Sequence, residues 1–243
     1  MPFYSGYNLR EVSKTPSRPG LTVLFALAVF IIPPTENVMG QLPDKKQSIR
    51  YLALGDSYTI GESVAEEHRW PVQLVTELKK LGYAVDEAKI IATTGWRTDD
   101  LKRAIAASEI KKHYNLVSLL IGVNNQYQGK SPQSYAPEFE ELLKTAVAYA
   151  GGDKSKVFVV SIPDYGYTPF GKDRQPEISK GIDAFNAVNK TITEKLGIKY
   201  FDITGISRNG FSDPELVASD GLHPSAKMYA QWVDVIMKGL RNN

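Results

Sequence analysis

The sequence predicts an α/β domain built on a parallel, doubly wound sheet. From residue 45 onward, apolar runs of strand length alternate five times with amphipathic stretches of helix length, which is the pattern of successive βαβ units. Two of the runs, 116–121 and 157–162, are apolar on both faces, as strands covered by helices on either side must be. The chain has 243 residues, 42% of them hydrophobic. That is enough apolar material for the core of one such domain.

Each element follows from its local pattern. Strand 49–54 precedes a helix over 71–81, and strand 88–92 a helix over 99–107. Strand 116–121 leads to a helix over 137–149, strand 157–162 to one over 178–196, and strand 199–202 to one over 226–240. The strands rest on short apolar runs and the helices on apolar residues recurring at the 3.6-residue period. No internal repeat, low-complexity tract or linker interrupts residues 45–243.

The first forty residues differ. Arg10, Lys14 and Arg18 precede an unbroken apolar stretch over 21–32, closed by Pro33-Pro34. That stretch is shorter than the roughly 20 residues a helix needs to cross a bilayer, so no stable membrane span is expected. A basic flank ahead of a short apolar run has the form of a secretory signal. Val38-Met39-Gly40 places small residues where cleavage would occur, so residues 1–40 read as a signal and 41–243 as one exported domain, periplasmic or secreted. A short uncleaved anchor and a buried helix compete with that reading. A start at Met39 would leave the protein cytoplasmic.

Composition removes whole classes of chemistry. With no cysteine, disulfide scaffolds, thiolate zinc sites, iron–sulfur clusters and cysteine nucleophiles drop out, as does a lipid-modified cysteine. A net charge of +2 without a dense basic run speaks against nucleic acid as a partner. His68, His113 and His223 are the only histidines, too few for a histidine-rich metal site.

Ligands of such sheets bind beyond the carboxyl ends of the strands, so the loops there carry the candidate site. After the first strand come Gly55-Asp56-Ser57-Tyr58-Thr59-Ile60-Gly61, after the second Thr93-Thr94-Gly95-Trp96-Arg97, and after the third Gly122-Val123-Asn124-Asn125. Asp220-Gly221-Leu222-His223-Pro224 sits just before the last helix. A serine hydroxyl needs a base to become nucleophilic. His223 has a carboxylate three residues ahead, across a glycine turn, so Asp220 can reach its Nδ1–H and set its tautomer. The Ser57 N–H, the Gly95 N–H and the Asn124 amide are candidate donors to an oxyanion, with glycine at 95 leaving room for close approach of the substrate. Asp56 reads as a brace for loop N–H groups, and His68 and His113 as surface residues. Tyr58, Trp96, Tyr127 and Tyr165 are candidate substrate-lining residues. Ser57 does not sit in a Gly-x-Ser-x-Gly elbow, because Thr59 occupies the last position.

These blocks resemble those of the SGNH hydrolases, the GDSL-type lipases and esterases. Gly55-Asp56-Ser57 with Gly61 is similar to the block carrying the nucleophile, and Gly95 stands where the second-block glycine is expected. Gly122-Val123-Asn124 is similar to the block whose asparagine completes the oxyanion hole. Asp220-x-x-His223-Pro224 is similar to the block supplying carboxylate and base. Two positions depart from the pattern: Tyr58 stands in place of leucine, and Asn125 where the family more often has aspartate. The resemblance implies a flavodoxin-like three-layer α/β/α sandwich with a five-stranded parallel sheet, no metal and no cofactor. It also implies ester hydrolysis through an acyl-serine, with Ser57, Asp220 and His223 catalytic and Ser57, Gly95 and Asn124 forming the oxyanion hole.

The expected activity is therefore that of a serine esterase on a small-molecule, lipid or glycan ester, of lysophospholipase or carbohydrate-esterase type. An acyltransferase using the same acyl-serine, and a non-catalytic glycan-binding module on the same fold, are the alternatives.

Overall fold

The computed structural model describes Leu42, residues 45–110 and residues 113–241. The apolar stretch 21–32 and the cleavage motif at 38–40 lie outside the described residues. Five strands, β1 (Tyr51–Gly55), β2 (Lys89–Ala92), β3 (Leu116–Leu120), β4 (Val157–Val160) and β5 (Lys199–Phe201), form one parallel sheet in the order β2-β1-β3-β4-β5. Every residue of β1, β3 and β4 is buried. Ser118 on β3 satisfies its buried hydroxyl by a 2.8 Å bond with the Tyr51 hydroxyl on β1.

The α-helices are α1 (Ser57–Ile60), α2 (Trp70–Lys80), α3 (Thr98–Ala107), α4 (Val123–Tyr127), α5 (Pro132–Tyr149), α6 (Gln175–Lys195), α7 (Thr204–Ser207) and α8 (Ala226–Arg241). Parallel crossovers are right-handed, so the direction of travel along the sheet decides which face each helix covers. The first crossover, through α2, runs from β1 outward to β2. The later ones, through α3, α5 and α6, run the opposite way. Accordingly α5 packs with α3 and α6 on one face, and α2 packs with α8 on the other. The α8 helix shows why it is helical and why it docks: Met228, Tyr229, Trp232, Val233, Ile236, Met237 and Leu240 are buried at three- and four-residue spacing. On the same side Trp70 sets its ring against Tyr51 and Phe158 under the centre of the sheet.

The reversal of direction lies between β1 and β3. Their connections leave to opposite sides, and the crevice so formed is where doubly wound sheets bind ligands. The short helices α1 and α4 begin there.

All five strands fall where the apolar runs placed them, with ends moved by one or two residues. The third long helix differs more, because α5 begins at Pro132 and not at Pro137. Ser131 caps it, its hydroxyl accepting the Ser134 N–H at 3.1 Å, and Pro132 occupies the first position, where a missing N–H costs nothing. Pro137 is then carried inside the helix. Among the described residues no helix is long and apolar enough to cross a membrane.

Candidate active site

Ser57 is delivered by the short turn between β1 and α1. The chain leaves β1 at Gly55, and Asp56 caps α1 by accepting the Tyr58 N–H on Oδ1 at 3.1 Å. Gly61 ends the helix four residues later, and both the Gly61 and Glu62 N–H groups bond the Ser57 carbonyl at 3.0 Å. The Ser57 backbone is thus clamped at a helix start, where its own N–H is one of the donors a helix leaves unpaired. Asp56 is fully buried and braces the loop as the sequence suggested. Burial pushes its carboxyl up to about 7, against the downward pull of the N–H groups of Tyr58, Asp56 and Gly122, and its Oδ2 has no hydrogen-bond partner.

The third loop turns at Gly122, whose φ is +127°. A Cβ there would lie 2.6 Å from the Tyr135 hydroxyl and 2.9 Å from Ile162 Cδ1, so neither the conformation nor the space admits another residue. From α4 and its C-terminal cap Gln128, three side chains then reach across to the β2–α3 loop and the first residue of α3. Asn124 Nδ2 donates to the Trp96 carbonyl at 2.9 Å. Asn125 Oδ1 accepts the Thr98 N–H at 3.1 Å, and its Nδ2 donates to the Thr98 hydroxyl at 2.7 Å. Gln128 Oε1 accepts from Arg97 Nη1 at 2.8 Å. The second and third loops are therefore tied together, and Asn124 keeps one amide hydrogen uncommitted. Gly95 sits in the second loop at φ +84°, with open space where a Cβ would stand. Its glycine answers to backbone conformation, not to crowding by the protein.

The last loop carries Asp220 and His223. Gly221, at φ +72°, closes a turn in which the Ala218 N–H bonds the His223 carbonyl at 2.7 Å. Asp220 Oδ1 accepts the Leu222 and His223 N–H groups at 2.9 and 3.0 Å, and Oδ2 lies 2.6 Å from His223 Nδ1. Partial burial works to raise the Asp220 carboxyl, but the bonds from the His223 ring, Ser63 and the two N–H groups outweigh it and hold the group well below the usual carboxylate range. An ionised carboxylate only accepts, so Nδ1 is the donor of the pair, and in the neutral ring the lone pair is left on Nε2. Tyr58 packs its ring edge-on against His223, 5.7 Å between centroids, and against Trp232 at 6.4 Å.

Ser57, Asn124 and His223, far apart in the chain, line one cavity of about 180 Å³, with Tyr58, Val123 and Leu222 as its apolar wall. Tyr165, Tyr127 and Phe170 close one side, the last two about half exposed. That side is held from below. Asp164, buried, accepts from the Gly166 N–H, the Ser179 hydroxyl and Arg208 Nε at 2.9, 2.6 and 3.0 Å. The Phe170 N–H bonds the Gly221 carbonyl at 3.0 Å, and the Tyr165 hydroxyl donates to Gln126 at 3.0 Å. Ser57 Oγ and the His223 ring are not hydrogen-bonded to each other, and both face the cavity. Such contacts often tighten only when substrate binds.

Of the catalytic, oxyanion and substrate-lining candidates singled out from sequence, Gly95, Trp96 and Asp220 are not among the residues lining this cavity, and Asp220 meets it only through its bond to His223. Trp96 packs partly buried against the core and serves the site through its carbonyl, because the α4 ties turn its loop inward. Leu222 and Ser63 enter the site without having been singled out; Ser63 donates its hydroxyl to Asp220 Oδ2 at 2.7 Å. Phe170 was legible as an aromatic in a loop at the right sheet edge, whereas nothing around Ser63 marks it. His68 and His113 lie exposed and outside the site. Among the described residues no group of three or more His, Asp or Glu is placed to hold a metal ion. A serine hydroxyl, an imidazole with a carboxylate on its other nitrogen, and an amide with a free hydrogen are the kinds of group that acyl transfer uses.

The profile of the GDSL-like lipase/acylhydrolase family matches residues 53–231. No curated protein sequence matches the chain significantly. Among solved structures, an acetyl xylan esterase is similar with a TM-score of 0.64 at 15% identity, over 79% of this chain and 100% of that one. An acetylxylan esterase from Geobacillus stearothermophilus gives 0.61 at 18% identity, over 80% and 95%. The psychrotrophic esterase EstA from Pseudoalteromonas sp. gives 0.61 at 16%, over 79% and 96%. At these identities the likeness is one of fold.

Proposed function

The chain belongs to the GDSL-like lipase/acylhydrolase family and is an ester-hydrolysing enzyme, and from that premise we propose that it cleaves carboxylic esters of short acyl groups through an acyl-serine formed on Ser57. His223 Nε2 takes the Ser57 proton as Oγ attacks the ester carbonyl. Asp220 keeps the ring in that tautomer and stabilises the imidazolium that results. The developing oxyanion is met by the Ser57 N–H at the start of α1 and the free amide hydrogen of Asn124; the Gly95 N–H, on the adjoining loop but outside the cavity lining, is the third donor the family pattern expects. His223 then protonates the leaving alcohol, and water activated by the same nitrogen releases the acid.

The observation that carries this reading is that His223, paired with Asp220 at 2.6 Å, lines the same cavity as Ser57. The short-acyl preference follows from size: about 180 Å³ lies below the roughly 300–1,000 Å³ typical of sites for drug-sized ligands. The half-exposed Tyr127 and Phe170 form the side on which the alcohol portion would lie. Hydrolysis of a short-chain nitrophenyl ester tests the nucleophile. Ser57→Ala is expected to lower turnover by a factor of at least about 10³, and wild-type turnover in that variant would end the assignment.

A further inference from the structure

We propose that Ser63 is a positioning residue of this site, holding the Asp220–His223 pair in register with the loop that carries Ser57. The proposal rests on the catalytic roles given above to Ser57, Asp220 and His223. Three observations carry it. First, the Ser63 hydroxyl donates at 2.7 Å to Asp220 Oδ2, the same oxygen that lies 2.6 Å from His223 Nδ1. With the Leu222 and His223 N–H groups on Oδ1, the carboxylate has four donors, the number its lone pairs accommodate. Three of them belong to its own turn, and Ser63 alone comes from elsewhere.

Second, this bond spans 157 positions of sequence. Among the described residues it is the only hydrogen bond between the segment following Ser57 and the turn holding His223. Ser63 is six residues past the nucleophile, on a stretch anchored at Gly61 and Glu62 to the Ser57 carbonyl. Its hydroxyl therefore refers the position of Asp220, and through it the His223 ring, to the nucleophile's own backbone.

Third, Ser63 has φ +65°, and His113 is the only other described residue besides glycines with positive φ. A side chain with a Cβ is held in that region at a cost, and strain of this kind persists where surrounding contacts demand it. Here the hydroxyl bond to Asp220 is the contact in question. The other titratable groups around the pair are accounted for. Glu62 receives the Thr94 hydroxyl. Tyr58 and Tyr229 are buried and pushed well above their ordinary range, first by burial and then by nearby carboxylates, so both stay neutral.

The test compares Ser63→Gly with Ser63→Ala in the full chain. Both remove the hydroxyl, but glycine also relieves the left-handed backbone. If the hydroxyl positions the pair, both variants lose turnover, about tenfold, with KM changed less than about twofold. Ser63→Gly does so without losing thermal stability. The carboxylate, relieved of one donor, holds positive charge on the neighbouring imidazole more strongly. The acid limb of kcat/KM therefore moves to higher pH, and the downfield proton resonance of the His223 Nδ1–H shifts. Wild-type turnover, acid limb and resonance in Ser63→Gly would overturn the proposal, and so would a loss in Ser63→Ala that Ser63→Gly fully restores. Ser57→Ala run alongside separates the two readings. Full activity in Ser57→Ala brings down the site itself, whereas an inactive Ser57→Ala beside an unaffected Ser63→Gly removes only the role of Ser63.

Discussion

Asp56 and Asp220 both belong to the site, and their surroundings move them in opposite directions. Burial pushes Asp56 up to about 7, while the donors gathered on Asp220 hold it well below the ordinary 3.8. The linkage signs follow. Folded Asp56 binds its proton more tightly than the unfolded chain does, so its contribution is full below about pH 4 and is lost as pH rises through about 7. Asp220 behaves the other way, its contribution being present above about pH 4 and lost as pH falls below it. Between pH 5 and 8 the two therefore separate, and only Asp56 titrates. Thermal unfolding of wild type and Asp56→Asn across that window is expected to show the variant gaining on the wild type as pH rises, by about 2 kcal/mol or several degrees of Tm. A gap that stays constant would mean that Asp56 is ionised throughout. At this scale the sequence was uneven in what it disclosed. Asp220 and His223 were readable because acid, turn glycine and base share one short segment. Ser63 was not, because its partner lies in a loop that only the fold brings near.

At the scale of elements, α4 does more than present Asn124. Asn124, Asn125 and the cap residue Gln128 reach the carbonyl of 96, the N–H and hydroxyl of 98, and the guanidinium of 97, so a five-residue helix and its cap tie down the loop that carries Gly95. The asparagine at 125 suits its neighbours, because the Thr98 hydroxyl already donates to Glu138 and the Asn125 amide lies 3.5 Å from the same carboxylate. An aspartate there would set two carboxylates around one hydroxyl proton. Asn125→Asp is expected to cost about 1–3 kcal/mol of stability, and Glu138→Gln added to it to recover most of the loss. Additive effects in that double-mutant cycle, measured by denaturant unfolding, would show that the two side chains do not interact. Helices such as α1 and α4 are too short to show a 3.6-residue period, which is why they were legible only as loops. The start of α5 was misplaced for a different reason. Two prolines compete for its first turn, and the Ser131 cap decides for Pro132.

For the molecule as a whole, strand order was the feature that alternation of runs could not specify. Five apolar runs separated by helices imply a parallel sheet, but it is the reversal between β1 and β3 that collects Ser57, Asn124 and the His223 turn at one crevice. The dimensions of that crevice make the substrate claim testable. Across acetyl to decanoyl nitrophenyl esters, kcat/KM is expected to peak at the shortest chains and to fall by at least about tenfold by octanoyl. A profile rising to long chains would mean that the aromatic side opens to admit them. Ser57 as the nucleophile is tested most directly by the site of covalent capture. A fluorophosphonate probe followed by intact-mass and peptide mapping is expected to give one adduct per chain, on Ser57, with none formed by Ser57→Ala or His223→Ala. An adduct on another residue, or unchanged labelling of Ser57→Ala, would contradict it.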